Sequence, residues 1–227
     1  MMKLYGGQTP NVFKPLIALE EMGLDYERVS LDILTGEQFT PEFLAISPNN
    51  RVPALVDDDP KDRQGSLSVF ESGAILLYLA DRQGAFIPAD ARGRNTVIEW
   101  VMWQMAGQGP MCGQAGHFRN YAPEKLPYAI DRYTNEAKRL YRVLNTRLAG
   151  REFIADAYSI ADMACWPWIM FRDHHGVALS DYPEVERWYR AIEARPAVQR
   201  AFDGYDVPPP RTFTDEERAL LFGGQTR

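Results

Sequence analysis

The chain is poor in cysteine, with 2 among 227 residues. Two thiols in unrelated contexts make no disulfide framework, and the sequence holds no Cys-x-x-Cys pair. Histidine is equally scarce. His117, His174 and His175 show no metal-ligand spacing, and two adjacent histidines on a helix point to different faces, so no metal is expected. Positive charge is in deficit: 25 Lys and Arg against 31 Asp and Glu give a net charge of −6 and a pI near 5.2. That balance argues against nucleic acid or an anionic membrane as partner. No apolar run is long enough to span a bilayer. The N-terminus moves straight into a short strand, with no basic, apolar and cleavage regions of a signal peptide. No internal repeat is present. A soluble, cytoplasmic protein is the expectation.

What is present is ordinary globular composition, 45% hydrophobic and 25% charged, and enough length for two modest domains. The chain is organised around Asn49 to Ile75. Val52 to Val56 and Leu67 to Phe70 read as two short strands, with the acidic, Gly-closed segment Asp57 to Gly65 as the loop between them. Pro53 falls just inside the first strand, where a central ladder excludes proline. A cis Val52–Pro53 peptide at a tight entry turn accommodates it and aims the Val52 backbone N–H and C=O sideways, toward a ligand. The second strand runs into Glu71-Ser72-Gly73 and then an apolar helical stretch, Ala74 to Ala80. Glu71 and Ser72 therefore stand at a strand-to-helix junction, where free N–H groups and the helix dipole favour an anionic group. A carboxylate beside a hydroxyl there can hold an ammonium and a carboxylate together, the head of an amino acid or γ-glutamyl peptide.

Arg51-Val52-Pro53-Ala54-Leu55 followed by Phe70-Glu71-Ser72-Gly73-Ala74-Ile75-Leu76-Leu77-Tyr78 resembles the glutathione-binding half of the glutathione transferases. The resemblance runs from Lys3 to about Phe202. Within the superfamily it is nearest to the bacterial Nu-class proteins, glutathione-dependent disulfide-bond oxidoreductases. It rests there on Thr9-Pro10-Asn11, Ile46-Ser47-Pro48-Asn49-Asn50, Gly109-Pro110-Met111, the run Pro127 to Tyr133 and Ala164-Cys165-Trp166-Pro167-Trp168. It implies a cis proline at Pro53, backbone pairing of Val52 with the cysteinyl unit of glutathione, and capture of the γ-glutamyl group by Glu71 and Ser72. It further implies contact of Gln38 with the glutathione backbone and pairing of Arg132 with a glutathione carboxylate. By sequence alone Gln38 is a loop residue after Gly36, and Arg132 a solvated helix charge.

Taken in order, Lys3 to Tyr5, Val12 to Met22 and Tyr26 to Leu31 read as strand, helix and strand, a βαβ unit with parallel pairing. In the helix, Phe13, Leu16, Ile17 and Leu19 face a core, and Lys14, Glu20 and Glu21 face outward. The hairpin around Pro53 completes a thioredoxin-like domain over residues 1–84. Residues 91–204 read as all-helical and 205–227 as a tail. A long helix is predicted to end or kink at Gly107-Gln108-Gly109-Pro110. Pro127 opens a second long helix, and Ser159 caps a third with Asp162 at the third helical position. In the tail, Pro208-Pro209-Pro210 is a semi-rigid spacer. Leu220-Leu221-Phe222 supplies an apolar patch, so the tail is predicted to fold back near the cleft.

The thiol for chemistry is expected from glutathione, bound as two reduced molecules or one oxidised one. Cys165 reads as an inert buried hydrophobe, and Cys112 lacks a neighbouring base or cation. Thr9 and Asn11 occupy the turn before the first helix, where the Thr9 hydroxyl and the Asn11 N–H or amide can donate to a thiolate. Plain turn and cap chemistry explains the same Thr-Pro-Asn. The predicted enzyme is a homodimer that exchanges thiols with a small disulfide. Two alternatives stay open: conjugation of glutathione to an electrophile, and non-catalytic binding of glutathione or a hydrophobic ligand.

Overall fold

A computed structural model of the protein describes residues 1–202, 205 and 207–223. It begins with strand β1 (Met2–Tyr5), helix α1 (Pro10–Glu21) and strand β2 (Tyr26–Val29), followed by α2 (Pro41–Ile46), β3 (Ala54–Asp57), β4 (Leu67–Phe70) and α3 (Ser72–Gln83). The four strands form one sheet in the order β2-β1-β3-β4, parallel between β1 and β2 and antiparallel elsewhere. Strand β3 starts at Ala54, opposite Tyr5 and Phe70, and not at Val52 as the apolar pattern suggests. Proline has no N–H for the ladder, so pairing begins one residue after Pro53. The Val52–Pro53 peptide is cis, as expected.

Helix α1 is sandwiched. It packs against α3 on one side and against two helices of the second half, α7 (Ile160–Met170) and α10 (Pro196–Ala201), on the other. Every residue from Val12 to Leu19 is buried as a result. This corrects the outward assignment of Lys14, which is 1% exposed. Amphipathic periodicity presumes one wet face, and this stretch of α1 has none.

The second half contains α4 (Ala91–Trp103), α5 (Gly109–Gly116), α6 (Pro127–Leu148), α7, α8 (Arg172–His175), α9 (Pro183–Glu193) and α10. The helical run does not stop at Pro110. It passes through a π-helical turn, Gln104–Gln108, into α5, and through a second, His117–Tyr121. Pro110 sits in the first turn of α5, where a missing N–H is tolerated. The local anchor of this half is Asp162. Its carboxylate accepts from the backbone N–H of Ile154 (3.0 Å) and of Ser159 (3.0 Å), and from the Trp188 indole (2.8 Å). With the Ser159 hydroxyl this completes a capping box at the start of α7.

Beyond α10 the chain returns over the molecule. His174 Nε2 lies 2.9 Å from the Pro208 carbonyl oxygen. Helix α11 (Asp215–Phe222) opens with its own capping box, Thr214 with Glu217. Phe213 packs on Tyr121 and Phe222 on His117, each with ring centres 4.6 Å apart. Arg51 Nη1 donates to the Leu221 carbonyl at 3.5 Å. α11 thus touches both the loop before β3 and the second π turn. No helix among the described residues is long and apolar enough to cross a membrane.

Candidate active site

Three structural junctions converge: the N-terminus of α1, the approach to β3, and the handover from β4 to α3. Between them lies a cavity of about 190 Å³ bordered by Asn11, Val52, Pro53, Glu71 and Ser72. A larger cavity of about 740 Å³ shares Asn11, Glu71 and Ser72 and extends to Lys14, Gln104, His117 and Phe222. A third, of about 540 Å³ and more apolar, is bordered by Thr9, Trp168, Tyr121, Phe213 and Phe222. Five of the eight sequence-predicted residues therefore meet at one small cavity, and Thr9 stands at its apolar neighbour.

Glu71 holds a left-handed backbone, φ 71°, which is unusual for a residue with a Cβ and clusters at functional sites. It caps α3 without giving its side chain to the helix, so its exposed carboxylate remains available. Ser72, nearly buried, receives the Lys14 ammonium at 3.3 Å. Asn11 accepts the Trp168 indole N–H at 3.1 Å through Oδ1, which orients its amide NH₂ away from that contact. The Thr9 hydroxyl accepts from the Val12 N–H at 3.3 Å and caps α1. A hydroxyl that accepts through a lone pair still has its proton to donate, so capping and thiol contact are compatible.

Gln38 and Arg132 border none of the three cavities. Gln38 is buried, with Nε2 donating to the Ile33 carbonyl at 3.0 Å, because the loop after Gly36 folds into a 3₁₀ turn. Arg132 is exposed on α6, 4.0 Å from Glu136.

Both thiols are sealed at 0% exposure. Burial pushes Cys112 up to about 12 and Cys165 well above the ordinary thiol value, so neither supplies a thiolate near neutral pH. His174 and His175 do border one common cavity, against the expectation that they diverge, because α8 is a single turn. Burial lowers His175 to about 3, which keeps it neutral. Among the described residues no group of three or more His, Cys, Asp or Glu converges as a metal site.

The residue that periodicity misses is Lys14. Its Nζ donates to Gln104 Oε1 at 2.6 Å, and desolvation brings the ammonium down to about 7 against the pull of Cys165 and Glu71. No sequence signal marks it: every residue from Val12 to Leu19 is buried, so no periodicity sets Lys14 apart from its neighbours.

Residues 1–81 match the family model described as glutathione S-transferase, N-terminal domain, and residues 110–196 match the C-terminal domain. The chain belongs to the glutathione S-transferase family. It is 48% identical over 202 residues to the disulfide-bond oxidoreductase YfcG of Escherichia coli, covering 88% of this chain and 94% of that one. A glutathione transferase from Burkholderia graminis, solved with two glutathione molecules per subunit, superposes with a TM-score of 0.84 at 45% identity, covering 91% and 89% of the two chains. One from Pseudomonas putida, solved with one glutathione disulfide per subunit, gives 0.83 at 41%, covering 88% and 90%. The fold of this transferase is the expected one, a four-stranded thioredoxin-like domain followed by a helical domain, and the protein is an enzyme of this superfamily.

Proposed function

We propose that this transferase is a glutathione-dependent disulfide reductase whose working sulfur belongs to glutathione. The observation that carries this is a pairing: polar groups converge on the small cavity while both protein thiols are buried and protonated. The names of its relatives support it, one a disulfide-bond oxidoreductase and others solved with two glutathiones or with glutathione disulfide.

In this reading Glu71 holds the γ-glutamyl ammonium, Ser72 the adjoining carboxylate, and the Val52 backbone beside Pro53 the cysteinyl amide. Thr9 and Asn11 donate to the sulfur and favour its thiolate. That thiolate attacks one sulfur of a small disulfide, forming a mixed disulfide and releasing the other half as a thiolate. A second glutathione thiolate then attacks the glutathione sulfur of the mixed disulfide, giving glutathione disulfide and the second product thiol. No metal takes part. We extend the reading to a cytoplasmic homodimer. Exposed Arg132 meets a glutathione carboxylate only in such an assembly, since it lies away from the cavities of its own chain. Gln38 takes part only if its loop opens, since its side chain is buried.

The test is steady-state turnover of a model disulfide with glutathione, beside turnover of an aromatic halide. Disulfide reduction well above the conjugation rate is expected. The reverse ranking overturns the proposal in favour of conjugation, a second reading favoured by the apolar cavity next to Thr9. Light scattering tests the dimer.

A further inference from the structure

Lys14 and Gln104 have no part in the scheme above, yet they form the floor of the larger cavity. Both are buried, at 1% and 0% exposure. An ammonium has three N–H donors, and Lys14 shows two partners, Gln104 Oε1 and Ser72 Oγ. Gln104 turns its oxygen to Lys14, and its Nε2 is buried with no partner. Spare donors on two buried side chains thus lie beside the Ser72 hydroxyl. Glu71 supplies the opposite charge at the adjacent position. A negative and a positive side chain, side by side at one end of a cavity, are complementary to an α-amino acid zwitterion.

We propose that Lys14, positioned by Gln104, is the cationic receptor for the α-carboxylate of the γ-glutamyl group, and that ligand binding draws a proton from solvent onto it. The inference rests on the glutathione reading given above. In the free protein burial leaves Lys14 balanced near neutrality, at about 7. A carboxylate arriving within a few ångströms favours the charged form, so the bound lysine is protonated well above that pH. The groups facing Lys14 are few. Glu71 faces it from the start of α3, and Cys165 from α7, with Asp162 behind the thiol. The π turn offers only neutral Gln104 and Met105, and Arg51 and His117 also line the cavity. The ion pairs between α1 and the α10 region, Glu20 with Arg200 and Glu21 with Arg195, lie at the opposite end of the helix.

The sign follows. Below pH 7 Lys14 is already charged and binding takes up no proton. Above it, binding must protonate the lysine, and affinity weakens with rising pH by up to about tenfold per unit. The probe is S-methylglutathione, which has no thiol to ionise. Calorimetry in two buffers of different ionisation enthalpy, at pH 6, 7 and 8, counts the protons. Uptake of about half a proton at pH 7, and more at pH 8, is expected for the wild type. The Lys14→Met variant removes that uptake and raises Kd about tenfold to a hundredfold, the loss of one charge-assisted hydrogen-bond set. Lys14→Arg retains binding without the uptake, because a guanidinium is always charged. Circular dichroism checks folding, and Lys14→Arg keeps the test alive if Lys14→Met does not fold. Amidation of the γ-glutamyl α-carboxyl weakens binding to the wild type much more than to Lys14→Met, which keeps only the Ser72 contact. Wild-type binding with the same proton count and affinity as Lys14→Met overturns this inference and leaves the glutathione reading standing. Absence of any binding to the wild type overturns the glutathione reading itself.

Discussion

Single side chains decide whether the sulfur is borrowed or built in. Cys112→Ser and Cys165→Ser together are expected to retain most disulfide reductase activity, with some stability lost because a buried hydroxyl needs a partner that a thiol does not. A folded but inactive double variant would place Cys112 in the nucleophile's role. Thr9→Ala and Asn11→Ala act the other way. Each is expected to lower kcat about tenfold to several hundredfold with a smaller effect on glutathione affinity, since in the proposed scheme their hydrogen bonds act on the attacking thiolate. Glu71→Ala should weaken glutathione by about 1.5–3 kcal/mol in calorimetry, the worth of a charge-assisted hydrogen bond. Lys14 also makes stability depend on pH. Its folded pKa, about 7, lies below the ordinary 10.5, so between those values the unfolded chain holds a proton that the folded chain lacks. The penalty for burying the charge is present in full below pH 7 and is relieved as pH rises toward 10.5, by roughly 4–5 kcal/mol at most. Urea unfolding of the wild type against Lys14→Met across pH 7–10 should show that difference shrinking. A constant difference would mean that the folded lysine keeps its ordinary pKa and stays charged as the unfolded one does.

Elements show which parts of this fold can be read from the chain. The Asp162 capping box was legible because its partners lie within a few residues of each other, Ser159 to Asp162. The Asp162 contacts to Ile154 and Trp188 were not, since only the folded α7–α9 packing brings the indole to the carboxylate. Asp162→Ala leaves two buried N–H groups and an indole N–H without acceptors. A loss of about 3–5 kcal/mol in urea unfolding is expected, with the glutathione affinity of the surviving folded fraction unchanged. The parallel β1–β2 unit, the β3–β4 hairpin and the β4–α3 junction were readable from strand chemistry and the Glu71-Ser72 pair. The burial of Lys14 was hidden because it depends on the second half closing over α1. The unbroken passage from α4 to α5 was hidden because glycine and proline at 107–110 signal a stop, whereas a π turn absorbs them. Gln38 shows the opposite limit: the motif locates its loop, and the 3₁₀ turn decides where the amide points.

At the scale of the whole molecule, the tail ties the two halves together across the cavity. Leu220 reaches to 3.5 Å from where a Cβ on Gly36 would stand, while Phe213 and Phe222 hold the second π turn. Removing residues 211–227 takes away this cover without opening the core, so the melting temperature should shift by no more than about 2–4 °C. Glutathione should leave several-fold faster in stopped-flow dissociation; unchanged release would show that the strap does not close the site. The sealing of both cysteines has a consequence of another kind. An enzyme that carries its reactive sulfur in its own chain is spent when peroxide takes that sulfur past the sulfenic stage, and the whole polypeptide must then be replaced. Under the proposed mechanism the vulnerable atom sits instead on a tripeptide that dissociates after each cycle. Peroxide exposure followed by buffer exchange and fresh glutathione should therefore restore full turnover, the damage having been discarded with the cosubstrate.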